Sequence, residues 1–339
     1  LIFSVTFLAS MLQYKHHFAT TAFATALLNL SLIAALLLAR DKESSEIVYY
    51  LSFGVVIGGI LQLLAHIVAI YKMGLFKLLF GGFKYLREKS PAIKEDTKKF
   101  KNNFFPAIWG NSTAQISAFL DTFLASFLAT GSISYLYYAN RIFQLPLALF
   151  AIATSVALFP RVARYLKNAD EAKALQNLQK AFWFLTFLLT ASAIGGIILS
   201  HEIITLLFQR GAFDALDTQH TAAVLTMYLI GLLPFGLQKL FVLWLYAKEM
   251  QMRAAKIATV SLLVYIVFAL TFIKPFGVAG LALASTLGGF ASLFFTIRVF
   301  GLQNFFAILR SKNLLYLIAG SILFTALLLV FKDFISVYI

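Results

Sequence analysis

The sequence contains no cysteine and few acidic residues. Without cysteine there is neither a disulfide framework nor a thiolate metal site. The number of cysteines therefore does not indicate whether the protein works in an oxidising or a reducing compartment. The 14 Asp and Glu residues are scattered and form no DDxxD-like pair, which argues against an enzyme that holds Mg²⁺ between carboxylates. A Walker motif is absent, so ATP hydrolysis is not expected, and the histidines lack HExxH spacing, so no metal site is predicted.

Apolar residues are what the chain has in abundance. Hydrophobic residues make up 61% of the sequence and charged residues 12%, whereas soluble domains carry about a quarter charged residues. We therefore predict an all-α polytopic membrane protein, because the segments are apolar on every face and do not alternate as barrel strands do. A search for segments of about twenty apolar residues, the length of a membrane crossing, finds ten, of which the first is shorter: residues 1–14, 18–39, 47–71, 104–129, 133–160, 181–208, 220–247, 254–273, 277–299 and 313–331.

Basic residues are unevenly distributed between the two sides of this predicted bundle. The net charge is +14, and if residues 72–103 are cytoplasmic, most Lys and Arg residues fall on the cytoplasmic side. Such a bias is typical of membrane proteins, and contact with anionic membrane lipids accounts for it. Since the basic residues are spread over successive loops, no nucleic-acid partner is predicted.

The longest polar stretch, residues 81–103, marks a boundary between two halves of the chain. It carries many lysines, and we interpret it as a cytoplasmic amphipathic segment and linker that lies on the membrane surface. The first segment is too short to span from Leu1 and no initiator Met precedes it, so we expect the chain to be a fragment that begins within a helix.

One arginine, Arg141, lies within the apolar stretch 131–160. Placing a guanidinium in hydrocarbon costs at least about 2.5–3.5 kcal/mol, and it does not escape by losing its proton. Arg141 is therefore expected to face a protein interior or a wet cavity, where it would bind an anion. The alternative is a structural arginine satisfied by carbonyl groups and Asp121.

Helix geometry places candidate neighbours beside Arg141. Residues three or four apart share a helix face, and Gln144 and Tyr137 flank that face. Pro146 removes a backbone hydrogen bond, so it is expected to kink the helix and act as a hinge. The shared face consists of Ser134, Tyr138, Arg141 and Leu145.

Asp121 is the acidic residue predicted to lie at a similar depth to Arg141 on an antiparallel neighbour. Three roles stay open for it: an ion pair with Arg141, a site for a coupling cation, or a neutral buried carboxyl. Lys239 is expected to extend its amine toward the cytoplasmic surface. Further intramembrane polar residues either line a cavity or join helices: Asn29, Gln62, Asn111 and Gln115.

The run from Phe104 to Tyr165 strongly resembles the seventh and eighth transmembrane helices of the MurJ/MviN lipid II flippase family. Residues 18–31 and 58–63 resemble the fifth and sixth helices, and residues 206–218 and 246–258 resemble later loops of that family. The signature residues are Pro106, Gly110, Gln115, Asp121, Ala125, Ser126, Gly131, Ser132, Ser134, Tyr138, Ala139, Arg141, Pro146 and Pro160.

The resemblance implies a two-lobe bundle of fourteen helices from the multidrug/oligosaccharidyl-lipid/polysaccharide flippase superfamily. Residues 1–80 would be the remainder of the N-terminal lobe, resembling helices four to six, and 81–103 the linker. Residues 104–300 would form the C-terminal lobe, and 301–339 a linker with an extra helix resembling the thirteenth. The first helices, and the last, would then be lacking from this chain.

The resemblance also implies a function. The protein would move lipid II, an undecaprenyl diphosphate carrying a disaccharide pentapeptide, across the bacterial inner membrane by alternating access during peptidoglycan synthesis. Arg141 would contact the diphosphate, which a planar guanidinium binds bidentately. Alternatives are another polysaccharide-lipid flippase, a multidrug exporter, or a scaffold that keeps the fold without the activity.

The remaining implications concern coupling and partners. No cofactor is expected, although an ion gradient or the membrane potential would be needed to drive transport. In some relatives the aspartate at position 121 belongs to a sodium site, but Tyr265 and Ala269 stand at the other ligand positions here and offer little ligation. Partners would be lipid II, membrane lipids, and proteins of cell-wall synthesis or division.

Overall fold

A computed structural model describes residues 1–15, 17–81 and 91–335. The chain forms two compact units, Leu1–Lys94 and Glu95–Ile339. The division between them falls inside the polar stretch predicted as a linker, and residues 82–90 of that stretch lie outside the described residues.

The first unit is built from three long helices and one short one. They are α1 (Ile2–Tyr14), α2 (Ala19–Leu38), α3 (Ser44–Lys72) and α4 (Phe76–Gly81). Helices α2 and α3 approach closely because Gly54 faces α2: a Cβ atom there would lie 2.8 Å from Ala35 Cβ. The Ser31 hydroxyl donates to the Gly54 carbonyl at 2.7 Å, so small residues and interhelical hydrogen bonds hold this pair together.

The second unit surrounds one hydrophobic core. A π-helical segment, Leu147–Ile152, connects two of its helices, so the chain passes from Ser132 to Lys167 without a loop. Its helices are α5 (Pro91–Ala125), α6 (Ser132–Pro146), α7 (Ala153–Lys167), α8 (Glu171–Ile198), α9 (Ser200–Phe208), α10 (Ala215–Ile230), α11 (Leu232–Ala247), α12 (Gln251–Phe300), α13 (Leu302–Leu309) and α14 (Asn313–Ile335).

The predicted all-α membrane fold is confirmed, with helices over the predicted apolar segments. Within the described residues, 7 helices are long and apolar enough to cross a membrane. Two predicted segments, 254–273 and 277–299, are both contained in α12. The segment 104–129 lies mostly in α5 and carries Asn111, Gln115 and Asp121, which lower its hydropathy. Residues 1–14 form a helix of only 13 residues.

Helix α12 is a hairpin of two helical arms rather than one rod. Gly277 adopts φ 54° and ψ −134°, a backbone conformation that favours glycine, and the chain reverses there. The arms then run side by side, because a Cβ on Gly280 would lie 2.3 Å from the Phe272 carbonyl oxygen. A Cβ on Gly288 would likewise lie 3.2 Å from Tyr265 Cβ.

Replacing Gly280 with alanine is expected to destabilise the second unit by about 1–3 kcal/mol, since the added methyl group overlaps backbone that cannot move aside cheaply. The measurement is the free energy of unfolding of the purified protein in detergent. Gly320→Ala is the matched control, because that glycine has open space around its Cβ position. Equal stability of the two variants would contradict the close approach of the α12 arms.

Candidate functional site

Helix α6 positions Arg141 on the outer face of the second unit. The helix follows Gly131, whose φ of 96° lies in the left-handed region. Tyr135, Ala139 and Phe143 recur at helical spacing and are buried in the hydrophobic core. Arg141 lies on the opposite side of the helix and is exposed on this unit. The same periodicity that buries the apolar face therefore presents the guanidinium outward.

Tyr137 is the immediate partner of Arg141. The Arg141 Nη2 atom donates to the Tyr137 hydroxyl at 2.7 Å. The guanidinium carbon also lies 4.6 Å from the centroid of the Tyr137 ring, which is within cation–π range. An arginine has five N–H donors, and this contact uses one of them. The arrangement suits an anion with several acceptor oxygens.

The other residues predicted around Arg141 have different environments. Ser134 and Gln144 are exposed on the same unit as Arg141. The ring of Tyr138 instead packs in an aromatic cluster with Phe208 and Phe213, at centroid distances of 4.7 Å and 5.5 Å. Tyr138 thus contacts α9 and the loop after it, while Tyr137, predicted only to flank the face, contacts the arginine.

Pro146 is the last residue of α6, and the π-helical segment Leu147–Ile152 follows it directly. A proline lacks the N–H that an α-helical hydrogen bond needs. The missing donor of Pro146 accounts for the change from α-helix to π-helix beside it. The role of Pro146 as a hinge stays a prediction.

Asp121 and Arg141 form hydrogen bonds with two different tyrosines. The Tyr265 hydroxyl donates to Asp121 Oδ1 at 2.6 Å, joining α5 to the first arm of α12. The Ser285 side chain on the second arm lies beside Asp121. The carboxyl group therefore faces hydroxyl groups from both arms of the hairpin. In this conformation Arg141 and Asp121 are engaged by separate tyrosines, and the cation and ion-pair roles stay predictions.

A second polar chain connects the surface beside Arg141 to the core. Gln144 donates its amide to the Asn140 carbonyl oxygen one turn earlier on α6. The Asn140 side chain in turn lies beside the hydroxyl of Tyr228 on α10. Tyr228 is buried, with 4% of its surface exposed. These contacts bring polar groups of α6 and α10 together inside the bundle.

The remaining predicted polar residues do not form one cluster. Gln62 donates to the Ala24 carbonyl at 2.9 Å and so joins α3 to α2. Asn29, Gln115 and Lys239 are exposed on their units. Asn111 lies within α5, and its side chain is outside the described residues. In the part of the chain that the structure describes, no group of three or more His, Cys, Asp or Glu side chains could hold a metal ion.

Sequence reasoning did not single out Asn140, Tyr228 or Ser285. Tyr228 and Ser285 are far from Arg141 in sequence and reach the site region only through packing of α10 and α12. Tyr137 carried a usable signal, because it precedes Arg141 by four residues on one helix.

Comparison with known proteins agrees with this helical arrangement. The family profile "Lipid II flippase MurJ" matches residues 1–337. The chain belongs to the MurJ lipid II flippase family. It is 49% identical to the probable lipid II flippase MurJ of Helicobacter pylori strain J99, over 99% of this chain and 75% of that protein. The Haemophilus influenzae MurJ is 33% identical, over 87% of this chain and 57% of that protein.

Solved structures show the same fold. The inward closed conformation of a MurJ lipid II flippase matches with a TM-score of 0.73 and 25% identity, over 98% of this chain and 71% of that chain. A mutant of the Vibrio cholerae MATE transporter VcmN matches with a TM-score of 0.64 and 14% identity, over 91% of this chain and 67% of that chain. The VcmN likeness concerns the fold alone.

One expectation is settled by these matches. The chain is a multi-pass protein of the bacterial inner membrane, as its apolar helices and MurJ relatives indicate. The chain spans 75% of the Helicobacter pylori relative and 71% of the solved MurJ chain.

Tyr265→Phe is expected to lower the free energy of unfolding by about 1–3 kcal/mol, because the half-buried Asp121 carboxyl group loses a hydroxyl donor. Unfolding of the purified protein in detergent measures this. Tyr316→Phe is the matched control, since that ring is 64% exposed. If both variants were as stable as the unmodified protein, the Tyr265–Asp121 hydrogen bond would not contribute to the fold.

Proposed function

We propose that this MurJ family member translocates lipid II from the cytoplasmic to the periplasmic leaflet of the inner membrane. The support is membership of the family together with names of relatives that are lipid II flippases. The protein acts as a transporter with no covalent step.

The proposed binding site rests on the position of Arg141. Its guanidinium is exposed on the second unit, and Tyr137 is its hydrogen-bond partner among the described residues. A diphosphate has several anionic oxygens in a compact group, and a guanidinium binds such oxygens through parallel N–H donors. Ser134 and Gln144 lie on the same exposed face and would contribute neutral hydrogen bonds to the bound headgroup.

The geometry of Asp121 supports a role in coupling that does not depend on sodium. Hydroxyl groups from Tyr265 and Ser285 surround the carboxylate, and Ala269 is fully buried with only a methyl group to offer. Neutral hydroxyls form a poor coordination shell for a cation, which takes several carboxylate or carbonyl oxygens. A proton gradient or the membrane potential therefore fits these residues better than a sodium gradient.

Arg141→Ala is expected to abolish growth support in a bacterium depleted of its own lipid II flippase, with translocation reduced at least about tenfold, because the diphosphate loses its charge-assisted hydrogen bonds. Membrane levels of the variant are measured in parallel. Arg210→Ala, in the exposed loop before α10, is the matched control and is expected to support growth.

Normal growth with Arg141→Ala would overturn the assignment of Arg141 as a headgroup ligand. Failure of the unmodified protein to support growth, combined with efflux of drugs or dyes, would instead favour a multidrug exporter of the same superfamily.

A further inference from the structure

The exposed face of α6 carries a row of polar side chains around Arg141. Ser134, Tyr137, Arg141 and Gln144 follow one another at intervals of three or four residues, and each is exposed on the second unit. The row includes Tyr137 in place of Tyr138, whose ring packs in the aromatic cluster. Because the members of the row belong to one helix, their spacing does not depend on how other elements pack.

Tyr137 offers a hydrogen-bond donor of its own beside Arg141. Its hydroxyl accepts a hydrogen bond from Arg141 Nη2 at 2.7 Å. A phenol hydroxyl also has one hydrogen to donate, besides the lone pairs with which it accepts. Among the described residues this hydroxyl forms no second hydrogen bond, and 54% of Tyr137 is exposed. A ligand that reaches the guanidinium therefore meets a second donor next to it.

The charge of Arg141 is not compensated by a carboxylate of its unit. Arg141 takes part in none of the ion pairs among the described residues. Asp121, which was predicted at a similar depth, accepts a hydrogen bond from Tyr265 instead. The Tyr137 hydroxyl is neutral, so it orients the guanidinium without cancelling its charge. A hydroxyl that accepts from a cation also becomes a stronger donor, because linked hydrogen bonds polarise one another.

An anion is the ligand that uses all of these groups. A cation would be repelled by the guanidinium, and a neutral ligand would leave the charge without a partner. Hydrogen bonds between charged donors and anionic oxygens are roughly twice as strong as neutral ones. A phosphate group carries several such oxygens, so it accepts from the guanidinium and from the phenol hydroxyl at once.

We propose that Tyr137 and Arg141 act as one anion-binding pair, in which the Tyr137 hydroxyl accepts from the guanidinium and donates its own hydrogen to the same anion. Tyr137 is then both a positioning residue for Arg141 and a ligand of the anion. That the anion is a diphosphate rests on the proposed function, whereas the pairing of the two side chains does not.

The test measures binding of undecaprenyl diphosphate and of uncharged undecaprenol to the full chain in lipid nanodiscs by native mass spectrometry. Tyr137→Phe keeps the ring beside the guanidinium and removes only the hydroxyl. It is expected to weaken the affinity for undecaprenyl diphosphate about tenfold, as loss of one charge-assisted hydrogen bond predicts, and to leave the affinity for undecaprenol unchanged. Tyr316→Phe, at a position 64% exposed on α14, is the matched control and is expected to change neither affinity.

A double variant tests whether the two side chains act together. In a chain that already carries Arg141→Gln, the further change Tyr137→Phe is expected to weaken diphosphate binding less than about twofold, because the hydroxyl has already lost the guanidinium that it shares with the anion. A loss of about tenfold in both backgrounds would show two independent ligands and would overturn the pair.

The remaining outcomes separate this pair from the flippase proposal. Unchanged diphosphate affinity of Tyr137→Phe, with weaker binding by Arg141→Gln, would overturn the role of Tyr137 and leave the proposed function standing. An equal loss of affinity for undecaprenol would show that Tyr137 only supports the fold, which also overturns the pair. If the unmodified chain bound undecaprenyl diphosphate no better than undecaprenol, the Arg141 site itself would be contradicted, and the pair with it.

Discussion

The scarcity of water in the hydrocarbon region governs this structure. A polar group there has no solvent to pair with, so it must be satisfied by protein or serve a ligand. Several intramembrane polar side chains are satisfied by other protein groups. The Gln62 amide bonds to α2, the Thr286 hydroxyl donates to the Met227 carbonyl at 2.7 Å, and Asp121 accepts from Tyr265. These contacts join helices whose apolar surfaces alone would not specify one arrangement.

Arg141 departs from that pattern. It keeps a full positive charge at the surface of its unit, where the Tyr137 hydroxyl accepts one of its hydrogen bonds and the Tyr137 ring lies 4.6 Å from the guanidinium carbon. An exposed guanidinium with further free donors suits an anionic group of a ligand.

Sequence reasoning recovered the all-α membrane fold, because hydropathy is a local property of the sequence. It also placed Gln62 among residues that join helices or line a cavity. It did not predict which of Tyr137 and Tyr138 contacts Arg141. Adjacent residues on one helix differ in direction by about 100°. The packing of Tyr138 against Phe208 and Phe213 directs its ring away from Arg141. The hairpin at Gly277 was interpreted as a boundary between segments, but its close arms depend on Gly280 and Gly288.

The partner of Asp121 was beyond sequence reasoning for a similar reason. Tyr265 is 144 positions away, and Ser285 reaches the carboxylate only because the α12 hairpin folds back. Periodicity places residues on a face of their own helix, whereas contacts between helices depend on side-chain shape along the whole interface.

The central claim is that Arg141 presents its charge to the diphosphate of lipid II, and equilibrium binding tests it most directly. Lipid II binding to the purified protein in nanodiscs would be measured by native mass spectrometry for the unmodified chain and for Arg141→Gln, which keeps hydrogen-bonding capacity without the charge. Loss of a charge-assisted interaction predicts at least about a tenfold weaker affinity for Arg141→Gln. Equal affinities would show that the guanidinium does not bind the diphosphate and would contradict the account.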